Sequence, residues 1–151
     1  MKIRKIGHSE PPPMHLLLLA DPSIEFIKDY IIRGTTYVAE FNEAAVGVYI
    51  LLDTRPGTCE IVNIAVEERY QGGGIGRKLI QHAIEAASQS GIKTLEIGTG
   101  NSSIGQLALY QKCGFKITGI DKNFFVRHYK DDIHENGIRC RDMIRLSMDL
   151  Q

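Results

Sequence analysis

The sequence contains no tryptophan, few cysteines, no excess of charge of one sign and no long apolar segment. Its 18 basic residues balance its 18 acidic residues. Neither nucleic acid nor an anionic membrane surface is therefore expected as the main partner. The longest apolar run, residues 16–20, is too short to cross a bilayer.

The three cysteines, Cys59, Cys113 and Cys140, are far apart and form no Cys-x-x-Cys pair. Their odd number and their spacing argue against a disulfide framework and against a zinc site. The histidines show no ligand spacing either, so no metal is expected. Glu10 and three prolines interrupt the N-terminal segment before a signal-like apolar stretch can form. The expected location is the reducing cytoplasm.

Length and patterning predict one domain over residues 1–151, of the α+β class, with helices packed on a mixed sheet. Asp21-Pro22 is expected to open the second helix, with Asp21 as its N-cap. The segment 121–140 is left open as a loop or a lid. Strands are predicted at 2–6, 35–41, 46–52, 59–66, 92–97, 115–120 and 143–148. Helices are predicted at 13–20, 22–33 and 104–113, with one more between the glycines at 72–76 and Gly91, and 53–57 is a predicted loop.

Glycines cluster in residues 71–77, Gln-Gly-Gly-Gly-Ile-Gly-Arg, between a predicted strand and a predicted helix. Glycines at the start of a helix let backbone amides approach an anion, and the helix N-terminus adds about half a positive charge. A pyrophosphate fits that chemistry, with Arg77 as a charge-assisted contact. The alternative is a tight turn without a ligand. The cluster is not a P-loop, because Leu79 follows Lys78, and its glycines do not fit the G-x-G-x-x-G dinucleotide spacing.

The segment resembles the (Arg/Gln)-x-x-Gly-x-(Gly/Ala) motif of the GNAT superfamily of N-acetyltransferases, which binds the pyrophosphate of acetyl-CoA. A second block, Asn101 followed by Leu-Tyr-Gln-Lys-Cys-Gly-Phe at 109–115, is similar to another signature of that family. The strand at 63–66 and the order of predicted elements also match. The resemblance implies a mixed, mostly antiparallel sheet with a splayed pair of central strands and helices on both faces.

The resemblance also implies roles for particular residues, with acetyl-CoA as cosubstrate. Tyr110 would protonate the departing thiolate, and Asn101 would hydrogen-bond the cofactor near its pantetheine arm. Nine residues separate the two, against about seven in many relatives, so the loop at 98–103 is expected to be reshaped. The strand backbone at Ile64, Ala65 and Val66 would pair with the pantetheine. The pyrophosphate would be held by Gln71, Gly72, Gly73, Gly74, Ile75, Gly76 and Arg77.

Two glutamates are candidates for the general base that accepts the proton of the attacking amine. Glu60 lies eleven residues before Gln71, the spacing of a catalytic glutamate in some histone-acetylating relatives. Glu96 occupies a place that resembles the base of ribosomal-protein N-terminal acetyltransferases. A water chain, His128 or no dedicated base stay open as alternatives.

The acceptor is less constrained by the sequence. Aromatic residues at 124–129 together with Asp131, Asp132 and Glu135 would suit a cationic amine, or form a solvated loop. We expect direct transfer to a primary amine of a small molecule or polyamine. The alternatives are a protein N-terminus or lysine, a non-catalytic CoA-binding sensory module, and an unrelated phosphate-binding α/β domain. A homodimer is left open, because relatives are often dimers and a final strand can pair across subunits.

Overall fold

The computed structural model of this chain describes residues 1–150, which form five α-helices and nine strands. A short 3-10 turn, Glu68–Tyr70, follows β4. The strands are β1 Lys2–Lys5, β2 Thr35–Phe41, β3 Ala44–Arg55, β4 Thr58–Val66, β5 Thr94–Gly100, β6 Lys116–Asp121, β7 Ile133–Glu135, β8 Ile138–Cys140 and β9 Met143–Asp149. The helices are α1 Met14–Ala20, α2 Ile24–Arg33, α3 Ile75–Gln89, α4 Ile104–Lys112 and α5 Phe124–His128.

Seven strands form one sheet in the order β1-β2-β3-β4-β5-β9-β6. Only β4 and β5 run parallel, and the other neighbours in this sheet are antiparallel. The mixed, mostly antiparallel α+β architecture predicted from the sequence is therefore confirmed. The final strand, β9, is paired on both sides, with β5 and with β6. In this arrangement β9 has no free edge, and the homodimer stays a prediction.

The sheet buries a separate hydrophobic cluster on each face. One cluster combines Leu79 and Ile80 of α3 with Tyr110 of α4 and the sheet residues that face them. The other combines Leu16 and Leu17 of α1 with α2 and the opposite side of the sheet. Helices thus cover both faces, as predicted, and the two faces are named here the α3/α4 face and the α1/α2 face.

Several element boundaries differ from those predicted. Helix α2 begins at Ile24, and its N-cap is Ser23, whose hydroxyl accepts a hydrogen bond from the Phe26 amide at 3.2 Å. Asp21 is therefore not the cap. Strand β3 continues through the predicted loop to Arg55, and β5 continues to Gly100.

The sheet splits between its two parallel strands. Pairing of β4 with β5 stops at Ile61 and Ile97, although both strands continue beyond that point. On its other side β4 has a bulge at Val62, because Leu51 pairs with Ile61 while Ile50 pairs with Asn63. A bulge bends the strand that carries it. The predicted splay is present, and its start coincides with the bulge.

The segment 121–140, which the sequence left open, folds into α5 and the antiparallel hairpin β7–β8. We call residues 124–140 the strap. One end is attached to the α1–α2 turn, because the Tyr129 hydroxyl donates to Asp21 Oδ1 at 2.8 Å. The other end is attached to the start of α4, where the Ser103 hydroxyl donates to Glu135 Oε1 at 2.7 Å.

Within residues 1–150, no helix is long and apolar enough to cross a membrane.

Candidate functional site

A cleft of about 980 Å³ occupies the split in the sheet. It extends from the turn between α1 and α2, past the separated ends of β4 and β5, to the start of α3. Because β5 diverges from β4 beyond Ile61, the edge of β4 from residue 62 to 66 faces the cleft without a strand partner. Unpaired strand edges present backbone N–H and C=O groups to any extended ligand. The predicted pantetheine residues Ile64, Ala65 and Val66 all line the cleft.

The glycine turn provides the backbone amides at one end of the cleft. Gly72 and Gly74 have φ angles of 83° and 89°, in the left-handed region that glycine adopts without strain. Gly74 is also the N-cap of α3, and it supplies no side-chain cap. The first backbone bond into the helix is made by Lys78, to the Gly74 carbonyl at 3.1 Å. The preceding amides, at Ile75, Gly76 and Arg77, are therefore available to an anion.

Positive charge surrounds this end of the cleft. The first turn of α3 carries no acidic residue that would compete for the amides. Arg77 and Lys112, from α3 and α4, line the same end and are exposed. Within residues 1–150 neither side chain is in an ion pair. Free amides next to two free cations have the chemistry needed to bind a phosphate or pyrophosphate.

Gln71 lies at the entrance to the turn and lines the cleft. Its side-chain amide donates to the Val66 carbonyl at 2.9 Å, which connects the end of β4 to the glycine turn. Gly72, Gly74, Ile75 and Gly76 also line the cleft, whereas Gly73 does not.

Tyr110 lies on the α3/α4 face near the C-terminal end of α4 and lines the cleft. Only 4 % of its surface is exposed, and the hydrogen bonds of residues 1–150 include none to its hydroxyl. Burial, with a smaller contribution from Cys113, raises the pKa of this phenol above its ordinary value. The hydroxyl therefore holds its proton at neutral pH, and it is a weaker acid than an exposed phenol until a basic acceptor comes within hydrogen-bond distance.

The two candidate bases lie side by side on the opposite face. Glu60 and Glu96 are register partners across the parallel pair. Their strand neighbours, such as Ile61 and Ile97, point into the α3/α4 core, so both glutamates point to the α1/α2 face. Glu96 is ion-paired with Arg55 at 3.0 Å. Neither glutamate is among the residues that line the cleft; both lie beside Ile61 and Ile97, which do.

Glu60 is the better placed of the two to take up a proton. It is half-buried and has no ion-pair partner within residues 1–150. Burial raises the pKa of Glu60, the charge of Arg145 opposes that rise, and the charge of Glu96 adds to it. A carboxylate whose pKa is raised toward neutrality is a stronger base than an exposed one.

Asn101 is not among the residues that line the cleft, although Gly100 and Ser103 are, and its side chain has protein partners. Its Oδ1 accepts hydrogen bonds from the amides of Arg141 and Asp142, and its Nδ2 donates to the Arg139 carbonyl at 3.2 Å. The geometry gives Asn101 a structural role in fixing the chain after β8. Ser103 is the N-cap residue of α4 but makes no side-chain cap hydrogen bond, because its hydroxyl, like that of Ser102, donates to Glu135. The loop before α4 is thus occupied by contacts with the strap.

A polar cluster at the other end of the cleft was missed by sequence reasoning. Asp21 is 9 % exposed, and its carboxylate accepts hydrogen bonds from the hydroxyls of Tyr30 and Tyr129 and from the Ser23 amide, at 2.8 to 3.0 Å. Asn63 of β4 donates to the Tyr30 hydroxyl at 2.8 Å. Asp21, Asn63 and Tyr129 line the cleft. The Asp21-Pro22 pair was the only local signal, and it resembles an ordinary helix start.

This chain is similar to known proteins of the acetyltransferase (GNAT) family. Residues 7–115 match the family model described as "Acetyltransferase (GNAT) family". The chain is 59 % identical over 135 residues to the uncharacterized N-acetyltransferase YvbK of Bacillus subtilis, covering 89 % of this chain and 87 % of that one. A solved IAA acetyltransferase from Bacillus cereus is 58 % identical, with a TM-score of 0.96 and 99 % of each chain covered. A GNAT family acetyltransferase from Elizabethkingia anophelis, solved with acetyl-CoA bound, is 50 % identical, with a TM-score of 0.97 and coverage of 99 % and 97 %.

Proposed function

Because the chain belongs to the acetyltransferase (GNAT) family, we propose that it transfers the acetyl group of acetyl-CoA by direct attack to the primary amine of a small molecule. It is an N-acetyltransferase of that family. We also propose which residues bind and react, which class of acceptor is used and which chemical steps take place. A single catalytic domain over residues 1–151 and a cytoplasmic location belong to it as well. The three cysteines, all free thiols, support that location.

The observation that carries the proposal is the continuity of the split sheet with the glycine turn. One cleft joins the unpartnered edge of β4 to the uncapped start of α3. Acetyl-CoA has the matching order of parts: an extended pantetheine arm with amide groups, followed by a pyrophosphate. The E. anophelis relative, with acetyl-CoA bound, supports the same occupant here.

Each part of the cleft has a binding role in this proposal. The backbone of Ile64, Ala65 and Val66 holds the pantetheine, in the manner of an added strand. The amides of residues 72–77 hold the pyrophosphate, with Arg77 in the first turn of α3 as a charged contact. Gln71 orients the turn by its hydrogen bond to Val66. Asn101 was predicted to touch the cofactor, but its hydrogen bonds to residues 139–142 favour the structural role.

Acetyl-CoA supplies a thioester whose carbonyl carbon is attacked by the amine. The amine nitrogen forms the new carbon–nitrogen bond, and the carbon–sulfur bond breaks. Glu60, on the α1/α2 face, takes the proton released by the amine through water, because it lies beside Ile61 and does not itself line the cleft. Tyr110, on the α3/α4 face, gives its proton to the leaving sulfur. The acid and the base thus act from opposite faces of the sheet, and no acyl-enzyme is required.

A small acceptor is favoured over a protein segment by the position of the strap. It is attached at Tyr129 to the α1–α2 turn and at Glu135 to the start of α4. The residues of the strap that line the cleft include Phe125, Tyr129 and Glu135. The strap therefore borders the cleft from the α1–α2 turn to the start of α4. An acceptor that enters under a tethered strap has to be compact.

The proposal is tested by two measurements on the intact chain. Calorimetry with CoA and with acetyl-CoA measures cofactor binding directly. Thiol release from acetyl-CoA is then followed with a panel of alkylamines, diamines, lysine-containing and N-terminal peptides, and IAA, the compound in the name of the B. cereus relative. We expect binding of both cofactors and turnover with amines. Binding without turnover on any acceptor would identify a sensory module, and turnover on peptides alone would overturn the small-molecule assignment.

A further inference from the structure

Asp21 is a buried carboxylate without a counter-ion at the end of the cleft opposite the glycine turn. Its three hydrogen-bond donors, two tyrosine hydroxyls and one backbone amide, are all uncharged. Within residues 1–150 no lysine, arginine or histidine is ion-paired with it. Buried charges in proteins are normally paired, because removing them from water is costly. Asp21 lines the cleft, so a cation bound there can supply the missing positive charge.

A second, independent observation comes from Asn63 in the same cluster. Asn63 is 3 % exposed, and its Oδ1 is buried without a hydrogen-bond partner within residues 1–150. Its Nδ2 is fully used, by the Leu17 carbonyl at 3.0 Å and the Tyr30 hydroxyl at 2.8 Å, which fixes the amide orientation and leaves the oxygen as the free acceptor. A buried acceptor without a donor is uncommon in proteins. A ligand that brings N–H donors would satisfy this oxygen.

The rest of this end of the cleft also suits a cation. Tyr129 packs edge-on against Phe26 with ring centroids 5.5 Å apart, and Phe125 is 5.4 Å from Tyr129. Faces of aromatic rings attract ammonium groups. The cationic side chains that line the cleft, Arg77 and Lys112, come from α3 and α4 at its other end. The cleft is therefore positive where a pyrophosphate would bind and negative at Asp21.

We propose that Asp21, with Asn63 and Tyr129, forms an ammonium subsite that holds a second positive charge of the acceptor. The proposal rests on the function proposed above and narrows its substrate class to diamines and longer polyamines. The distal ammonium binds at Asp21, and the other amine, once deprotonated, attacks the thioester. Phe125, which lines the cleft beside Tyr129, completes the aromatic surroundings of the bound cation, and Phe26 packs against the edge of Tyr129.

The test compares acceptors that differ in one charge. Diamines of three to six carbons are assayed beside the monoalkylamines in which a methyl group replaces the distal ammonium. The wild-type chain is expected to prefer the best diamine by about tenfold or more in kcat/KM, the worth of one charge-assisted hydrogen bond. Equal rates for a diamine and its monoamine, or a preference for IAA or a peptide, would overturn the subsite.

The variant Asp21→Asn removes the charge and keeps the shape of the side chain. We expect it to lower kcat/KM for the diamine about tenfold more than for the monoamine, with the change in KM rather than kcat. An equal loss for both acceptors would give Asp21 a purely structural role. The matched control is Asp29→Asn, an exposed carboxylate on α2 ion-paired with Arg33, which is expected to leave both rates unchanged.

A measurement on the wild-type chain covers the case in which Asp21→Asn fails to fold. Butyldimethylammonium, a tertiary cation that keeps one N–H donor and forms no stable amide, is expected to compete with the diamine, whereas its neutral carbon analogue, 2-methylhexane, is not. Absence of competition by the cation would overturn the subsite. Calorimetry with CoA separates this failure from that of the proposed function, because cofactor binding does not depend on the ammonium site.

Discussion

Tyr110 meets the leaving sulfur, in the proposed reaction, from inside the α3/α4 core. Its phenol is buried, and its pKa is raised by that burial. The proton is therefore always present, and it becomes transferable when a developing thiolate comes within hydrogen-bond distance. A hydroxyl without a partner within residues 1–150 is free to make that bond.

Tyr110→Phe is expected to reduce kcat about a hundredfold or more, since a positioned general acid contributes about 10² to 10⁴. The affinity for acetyl-CoA should stay nearly unchanged, because the substitution removes one oxygen and leaves the ring in the core. Steady-state thiol release gives kcat, and calorimetry with CoA gives the affinity. Unchanged turnover would remove Tyr110 from the mechanism.

Glu60 and Glu96 form a pair in which each can serve as the control for the other. Glu60 acts only when it is deprotonated, so its raised pKa sets the acidic limb of the rate profile. Glu60→Gln is expected to lower kcat about a hundredfold and to abolish that limb. Glu96→Gln should retain activity and move the limb to lower pH, because the charge of Glu96 helps to raise the pKa of Glu60. Full pH–rate profiles of both variants distinguish them, and the opposite pattern would assign Glu96 as the base.

The raised pKa of Glu60 should also appear in the pH dependence of the free energy of unfolding. The folded state holds a proton on Glu60 at pH values where the unfolded chain has released it, since the pKa is raised on folding. Stability therefore falls as pH rises from the ordinary glutamate pKa through the raised one. Glu60→Gln removes this contribution, so its free energy of unfolding in urea should fall less over that range than that of the wild-type chain. If the free energy of unfolding of the wild-type chain rose across this pH range while that of Glu60→Gln stayed constant, the burial of the charge would be contradicted.

At the scale of elements, the glycine turn and α3 form a unit that can be tested by backbone strain. Gly74→Ala forces an alanine into a left-handed conformation, at a cost of about 1 kcal/mol, and disturbs the first amides of α3. Gly91→Ala is the matched control: its φ is 79°, and an added Cβ meets nothing within 4 Å at either position. Both variants should lose similar stability by urea denaturation, but only Gly74→Ala should weaken CoA binding by calorimetry. Equal CoA affinity in the two would remove the turn from the cofactor site.

Elements with strong local signals could be predicted from the sequence, and those held by distant contacts could not. Helix α3 has an apolar stripe and a glycine at each end, so its position followed from local pattern. Helix α5 has five residues, too few to be stable alone, and is fixed by Tyr129, whose partner Asp21 lies 108 positions away. The hydrogen bonds of Asn101 and Asp21 are also long-range contacts, so the sequence could not show them. Asp21 was therefore predicted as a helix cap, and the cofactor contact of Asn101 stays a prediction.

At the scale of the whole molecule, cofactor binding should stabilise the folded chain as a unit. The cleft is built from α1, β4, α3, β5, α4 and the strap, so unfolding any of these elements destroys the site. A ligand that binds only the folded state, at 100 times its Kd, adds about 2.7 kcal/mol to the free energy of unfolding. For a chain of this size that corresponds to a rise in Tm of about 5 to 10 °C. Thermal melting with CoA and, separately, with ATP at equal concentration measures this rise in Tm. ATP shares the phosphates of CoA but lacks the pantetheine that the open edge of β4 is expected to bind. Protection by ATP where CoA gives none would therefore identify a nucleotide site instead.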